Sequence, residues 1–146
     1  MLQLNFDLTH DQVMATMIDL TRPSILHRII VAGSDSAATE LELRRRRFLR
    51  VATTERCLPR GQYSVGMVAG QHSLQALEAV LAEISPFLSA TAAIAAVIDF
   101  RGEGSSMRVR EKLERLGFRI DAGVRCHKHF VLSARRWNFS SMAHAA

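Results

Sequence analysis

Ile29-Ile30-Val31-Ala32-Gly33-Ser34-Asp35-Ser36 opens the stretch that decides the fold; a polar segment ending in Arg44-Arg45-Arg46-Arg47 comes next, then Phe48-Leu49-Arg50-Val51-Ala52-Thr53-Thr54-Glu55. The uniformly apolar end of the first run predicts a strand buried on both faces, as in the centre of a parallel sheet. Gly33 to Ser36 supplies a tight turn, and Ser36 is placed to cap a helix running to about Arg46. Glu40 and Glu42 fall in its early turns and the arginines at its end, where the helix dipole favours each charge. The arginine run therefore has a structural explanation that needs no partner. Residues 48–54 read as a second strand closed by the acid Glu55.

Upstream, Val13, Met14, Met17 and Ile18 fall at helical spacing over residues 9–20, with Thr9 or Asp7 as cap. Pro23 ends that helix by biasing Arg22 away from helical backbone. The first strand then spans residues 26–32. Downstream, a short connection holding Pro59 and Gly61 leads to a third strand, Tyr63 to Ala69. After the turn Gly70 to Ser73, the positions Leu74, Leu77, Val80, Leu81 and Ile84 give a helix to about Phe87 one apolar face. An alanine-rich strand is expected over 92–99, a Gly/Ser loop from Arg101, and a helix from Ser106 to Leu116 closed by Gly117. Residues 118–125 and 129–135 read as a β-hairpin turning near Cys126 to Lys128, and the chain from Trp137 reads as a loose tail.

Alternation of strand and helix with short connections implies a largely parallel sheet with right-handed crossovers. The 146 residues, 48% of them hydrophobic, suit one domain around one core, with a helical extension over 1–24 and a flexible tail over 137–146. No apolar run approaches the roughly 18 residues that span a bilayer, so no membrane partner is expected. The N-terminus lacks the pattern of a signal peptide, which points to the cytoplasm and to free thiols at Cys57 and Cys126. Net charge is +5, and all basic residues except Lys112 and Lys128 are arginine; such a surface attracts phosphate or acidic partners. Cys126, His127 and His129 cluster but supply too few ligands for zinc, so no metal is expected.

Three segments resemble the class I S-adenosylmethionine-dependent methyltransferases, in a degenerate and truncated form. Ile29 to Ala37 stands at that family's glycine-rich first motif; Leu58 to Glu78 looks like its fourth strand and the helix after it; and Leu113 to Ile120, with Phe130 to Arg135, matches its terminal helix, Gly-Phe turn and last two strands. The resemblance implies an α/β, mostly parallel Rossmann-like sheet of about six strands, the last antiparallel, flanked by helices. Ligands of open α/β sheets lie beyond the carboxyl ends of the strands, at the switch point. The resemblance accordingly proposes Gly33, Asp35, Glu55, Ala69 and Gly70 as cofactor contacts. Glu55 lies beyond Gly33 at roughly the 20-residue spacing of a ribose-binding acid. His72 is the candidate general base. Asp99, ending a strand on the same side, is a candidate substrate contact.

The departures are specific. In the motif acid-x-Gly-x-Gly-x-Gly, this chain has Val31 for the acid, Gly33 for the first glycine, and Asp35 and Ala37 for the other two. Ser64 replaces the usual Asp of the fourth-strand pattern, and Thr91-Ala92-Ala93 stands where many members have a Gly-Gly turn. The segment between Glu55 and Tyr63 is too short for the helix, strand and helix that usually enclose the adenine. Each lost charge-assisted hydrogen bond costs about 1.5–3 kcal/mol. Two or three such losses weaken binding by roughly a hundredfold to several thousandfold or more. The reading is a methyltransferase-like protein with weakened or lost S-adenosylmethionine binding and no catalysis, acting through binding or regulation. The alternatives are an active minimal S-adenosylmethionine-dependent methyltransferase and a basic nucleic-acid-binding module. The shortened connection also leaves 48–54 as a sheet edge, to be guarded by Arg50 or covered in a homodimer.

Overall fold

The computed structural model describes residues 2–54, 59–71, 73–98, 104–126 and 128–137. In chain order the elements are α1 (Leu2–Thr21), β1 (Ile29–Ala32), α2 (Ser36–Arg45), β2 (Val51–Thr53), β3 (Tyr63–Val68), α3 (Leu74–Ile84), β4 (Leu88–Ile98), α4 (Ser105–Arg115), β5 (Phe118–Cys126) and β6 (His129–Arg136). They build one six-stranded sheet in the order β2-β1-β3-β4-β6-β5. The strands β2, β1, β3 and β4 pair in parallel, and β6 slots between β4 and β5, antiparallel to both. This is the mostly parallel sheet with an antiparallel last strand that the sequence leads one to expect.

Side chains alternate between two cores, as the strand period of two requires. Ile29, Val31, Val65, Met67, Ala95 and Val97 face Met14 and Met17 of α1 and Leu43 of α2. Ile30, Ala32, Val68, Ile94, Ala96 and Ile98 face Leu77, Leu81 and Ile84 of α3 and Val109 and Leu113 of α4. Helices thus cover both faces. Each fully buried aliphatic side chain in these layers contributes about 1.5–3 kcal/mol.

Local sequence explains the element ends. Ser73 caps α3, its Oγ accepting a hydrogen bond from the Ala76 N–H at 3.1 Å. Gly117, at φ 92°, stops α4 in the left-handed conformation that favours glycine. Four expectations need correction. Helix α1 begins at Leu2 rather than near residue 9. The N-cap of α2 is Asp35 rather than Ser36, with no side-chain capping bond. Pro86 stops α3 in a 3₁₀ turn, Ser85–Phe87, and β4 starts directly after it at Leu88. Thr91-Ala92-Ala93 therefore lies well inside β4.

The fourth correction concerns the sheet edge. Strand β2 is three residues long and lies at the edge. The Ile29 N–H donates to the Arg50 carbonyl, so alternation turns the carbonyls of Leu49 and Val51 outward. Arg44, not Arg50, covers both, at 3.3 and 3.2 Å, while also pairing with Glu40. A homodimer through 48–54 would have to displace that guanidinium. Arg45 and Arg46 both pair with Glu42. The arginine run is thus partly answered by its own helix. No described helix is long and apolar enough to cross a membrane.

Candidate functional site

The strand order creates one switch point. From β1 the chain crosses through α2 on one face to reach β2; from β3 it crosses through α3 on the other face to reach β4. Between the carboxyl ends of β1 and β3 the two connections diverge, which is where open α/β sheets hold ligands. Ala32 pairs with Val68 there, so the turn holding Gly33 and Asp35 lies beside the turn holding Ala69 and Gly70. The structure thus brings four of the predicted cofactor-site residues together. Glu55, His72 and Asp99 lie outside the described residues.

The two turns bind each other. The Ala69 N–H donates to the Ala32 carbonyl at 3.3 Å, and the Asp35 N–H to the Ala69 carbonyl at 3.5 Å. The Ser34 hydroxyl donates to the Gly70 carbonyl at 2.7 Å. Gly33 has φ 104°, and a Cβ there would sit 2.1 Å from the Ala69 carbonyl oxygen. Gly70 has φ 87°, and a Cβ there would sit 2.7 Å from the Asp35 Cγ. Both glycines are therefore required by turn-to-turn contact, whatever else they do. Sequence reasoning missed Ser34. The buried Gln71 stands beside the turn too, its Nε2 3.0 Å from where a Cβ at Gly33 would lie. No spacing rule signals these contacts, because they join residues about 36 apart.

Asp35 places its carboxylate at the N-terminus of α2, where the dipole favours an anion. It also places it against Gly70. One turn further on, the Thr39 hydroxyl is buried with no hydrogen-bond partner. Among the described residues no group of three His, Cys, Asp or Glu gathers into a metal cage, and Cys126 is a free thiol.

No family model matches the chain, and no curated protein matches it by sequence. The likeness is in three dimensions. A Burkholderia thailandensis 1,6-didemethyltoxoflavin-N1-methyltransferase, solved with 1,6-didemethyltoxoflavin and S-adenosylhomocysteine bound, is 12% identical and superposes with a TM-score of 0.59 over 93% of this chain and 84% of that one. The [4+2]-cyclase SpnF gives a TM-score of 0.63 at 12% identity, over 87% of this chain and 80% of that one. A protein-(glutamine-N5) methyltransferase from Alicyclobacillus acidocaldarius gives 0.58 at 14% identity, over 89% and 93%. The fold is therefore methyltransferase-like: a Rossmann-like α/β sheet with an antiparallel last strand. That one of these three relatives in shape is a cyclase means that the fold alone does not fix the chemistry.

Proposed function

We propose that this protein is a methyltransferase-like scaffold whose S-adenosylmethionine binding is weakened or lost, and that it acts through binding or regulation rather than catalysis. The observation that carries the reading is the closure of the two turns at the switch point. A ligand at that point needs bare backbone on the β1 turn. Here the second motif glycine is Asp35, and its carboxylate group lies where even a methyl on Gly70 would collide with it. The carboxylate of the cofactor's amino acid end would also meet this negative charge. Val31 compounds the effect: it is fully buried and cannot supply the acid of the motif. The residues present thus fit the cofactor poorly.

Calorimetric titration with S-adenosylmethionine and S-adenosylhomocysteine tests the reading. The expected result is no saturable heat up to about millimolar ligand, equivalent to a binding free energy no better than about −4 kcal/mol. A micromolar dissociation constant for the wild-type protein overturns it. Asp35→Gly reopens the turn and is expected to raise affinity.

A further inference from the structure

The opposite end of the sheet carries a second, differently built surface. The N-terminal ends of β1, β2 and β3 meet there: the Ile29 N–H donates to the Arg50 carbonyl, and the Ser64 and Val65 N–H groups to the Arg28 carbonyl. Just before β1 the chain makes a closed turn. The His27 N–H donates to the Ser24 carbonyl at 3.0 Å, and the Ser24 N–H donates back to the His27 Nδ1 at 2.9 Å. The tip of this doubly locked turn is Ile25-Leu26, 59% and 69% exposed. Turn tips normally carry Gly, Asn, Asp or Ser, which satisfy the backbone and tolerate water. Two aliphatic side chains held in solvent by a locked turn are an exception. Leu49, 67% exposed, stands two residues before β2 at the same end.

The charge within the segments at this end has one sign. Arg22 and Arg28 flank the turn, Arg47 and Arg50 flank Leu49, and Arg60 precedes β3; all five are exposed. The segments 22–28, 47–50 and 59–62 contain no acid. Arg28 hydrogen-bonds the neutral Gln62 at 2.7 Å. The nearest acids along the chain are Asp19, in the last turns of α1, Glu42, already engaged with Arg45 and Arg46, and Glu55, which lies outside the described residues.

We propose that this end of the sheet docks on an anionic phospholipid bilayer. Arginines at headgroup level combined with aliphatic side chains reaching the acyl boundary are the combination that such a surface binds. A second copy of the chain is disfavoured, because it would bring like-charged arginine clusters together. Single-stranded nucleic acid is disfavoured, because bases stack on aromatic platforms and the aromatic residue of these segments, Phe48, is buried. The inference is independent of the fate of the cofactor site. It revises the sequence expectation of no membrane partner, which rested on the lack of a spanning segment; docking on a surface needs no span.

Sedimentation of the full chain with vesicles tests it. Vesicles of mixed phosphatidylglycerol and phosphatidylcholine are expected to pull the protein down, phosphatidylcholine alone not, and salt at about 0.5 M to weaken the association by screening. Leu26→Ser and Leu49→Ser should each lower partitioning about tenfold. Arg28→Gln and Arg50→Gln should each lower it about fivefold. Arg108→Gln, on α4 at the far end, should leave it unchanged. Circular dichroism confirms that the variants fold. Absence of binding to anionic vesicles at low salt overturns the proposal. So does binding that the serine variants leave intact, or that a DNA duplex matches, since either describes a mere polycation.

Discussion

The two ends of the sheet carry opposite solutions to the same packing problem. At the carboxyl end the β1 and β3 turns close on each other, through Ser34, Ala69 and Gly70, until no room remains for a Cβ at Gly33 or Gly70. At the amino end the connections are also bonded to one another, through Arg28 and Gln62 and through Gly61 and Pro86, yet they leave Ile25, Leu26 and Leu49 facing solvent. In open α/β folds the carboxyl end is where ligands are expected. Here that end is the tightly self-bonded one, while the end usually left to structural connections carries the uncompensated charge and apolar surface. The contrast separates two uses of the same architecture: scaffold geometry retained at one end, an accessible surface built at the other.

The sharpest way to break this contrast is to add a methyl group at each end. Gly33 and Gly61 both have positive φ, 104° and 70°, so alanine is strained at either position. Only at Gly33 does the new Cβ also meet backbone, 2.1 Å from the Ala69 carbonyl oxygen; at Gly61 nothing lies within 4 Å. Backbone cannot step aside without parting the two turns. Gly33→Ala is expected to cost about 3–4 kcal/mol, the sum of the conformational strain and an overpacking penalty. Gly61→Ala should cost about 1 kcal/mol, the strain alone. Urea denaturation measures both. Equal losses would mean that the turns at the carboxyl end are not locked together.

The next largest effect lies at the amino end, where Arg136 closes the sheet. Its guanidinium donates to the Ser85 and Leu88 carbonyls, with a further contact to the Ser85 hydroxyl, and stacks over the Phe118 ring at 4.6 Å. Partial burial lowers its pKa from the ordinary value, while its charge is spread over carbonyl acceptors rather than a carboxylate. Arg136→Ala leaves those carbonyls short of a donor and should cost about 2–3 kcal/mol. Arg136→Lys, which lacks the planar fork, should recover only part of it. Full recovery by lysine would show that charge alone, not the fork, joins β6 to the start of β4.

Legibility in the sequence divides along similar lines. The parallel part of the sheet is readable because Ile29 to Ala32 and Ala92 to Ile98 are apolar runs set between helical patterns, and the antiparallel last strand because residues 118–135 read as a hairpin. The start of β4 is hidden because Pro86 signals the end of a helix without signalling a strand: the chain passes through one 3₁₀ turn and is already extended at Leu88. The site is half legible. Gly33, Asp35, Ala69 and Gly70 stand together because their turns follow the carboxyl ends of the paired parallel strands β1 and β3. That the turns bond each other is not legible, because Ser34 and Gly70 meet only through the pairing of β1 with β3.

Arg44 gives a smaller test. It fills the two outward carbonyls of an edge only three residues long. Those carbonyls can turn to water, so Arg44→Ala should cost only about 1 kcal/mol. Its larger consequence is access: an uncovered edge invites strand pairing. Sedimentation velocity should show stronger self-association for the alanine variant than for the parent chain. If association does not change, the edge is protected by its shortness rather than by the guanidinium.

The smallest effect on stability is expected where the proposed docking is strongest. Leu49 contributes little to the core because two-thirds of it faces water. Surface substitutions away from caps, cores and networks usually stay within about 0.5 kcal/mol. Leu49→Ser should therefore leave the urea midpoint almost where it is. If exposed Leu49 were instead a spare packing residue, held out only for want of space, its loss would show as a stability change with no change at a lipid surface. If it belongs to a docking surface, the reverse holds: unchanged folding and about tenfold weaker partitioning onto anionic vesicles. Stability and binding thus move independently at the amino end. At the carboxyl end Gly33→Ala should alter stability alone, because that turn is already occupied by its neighbour.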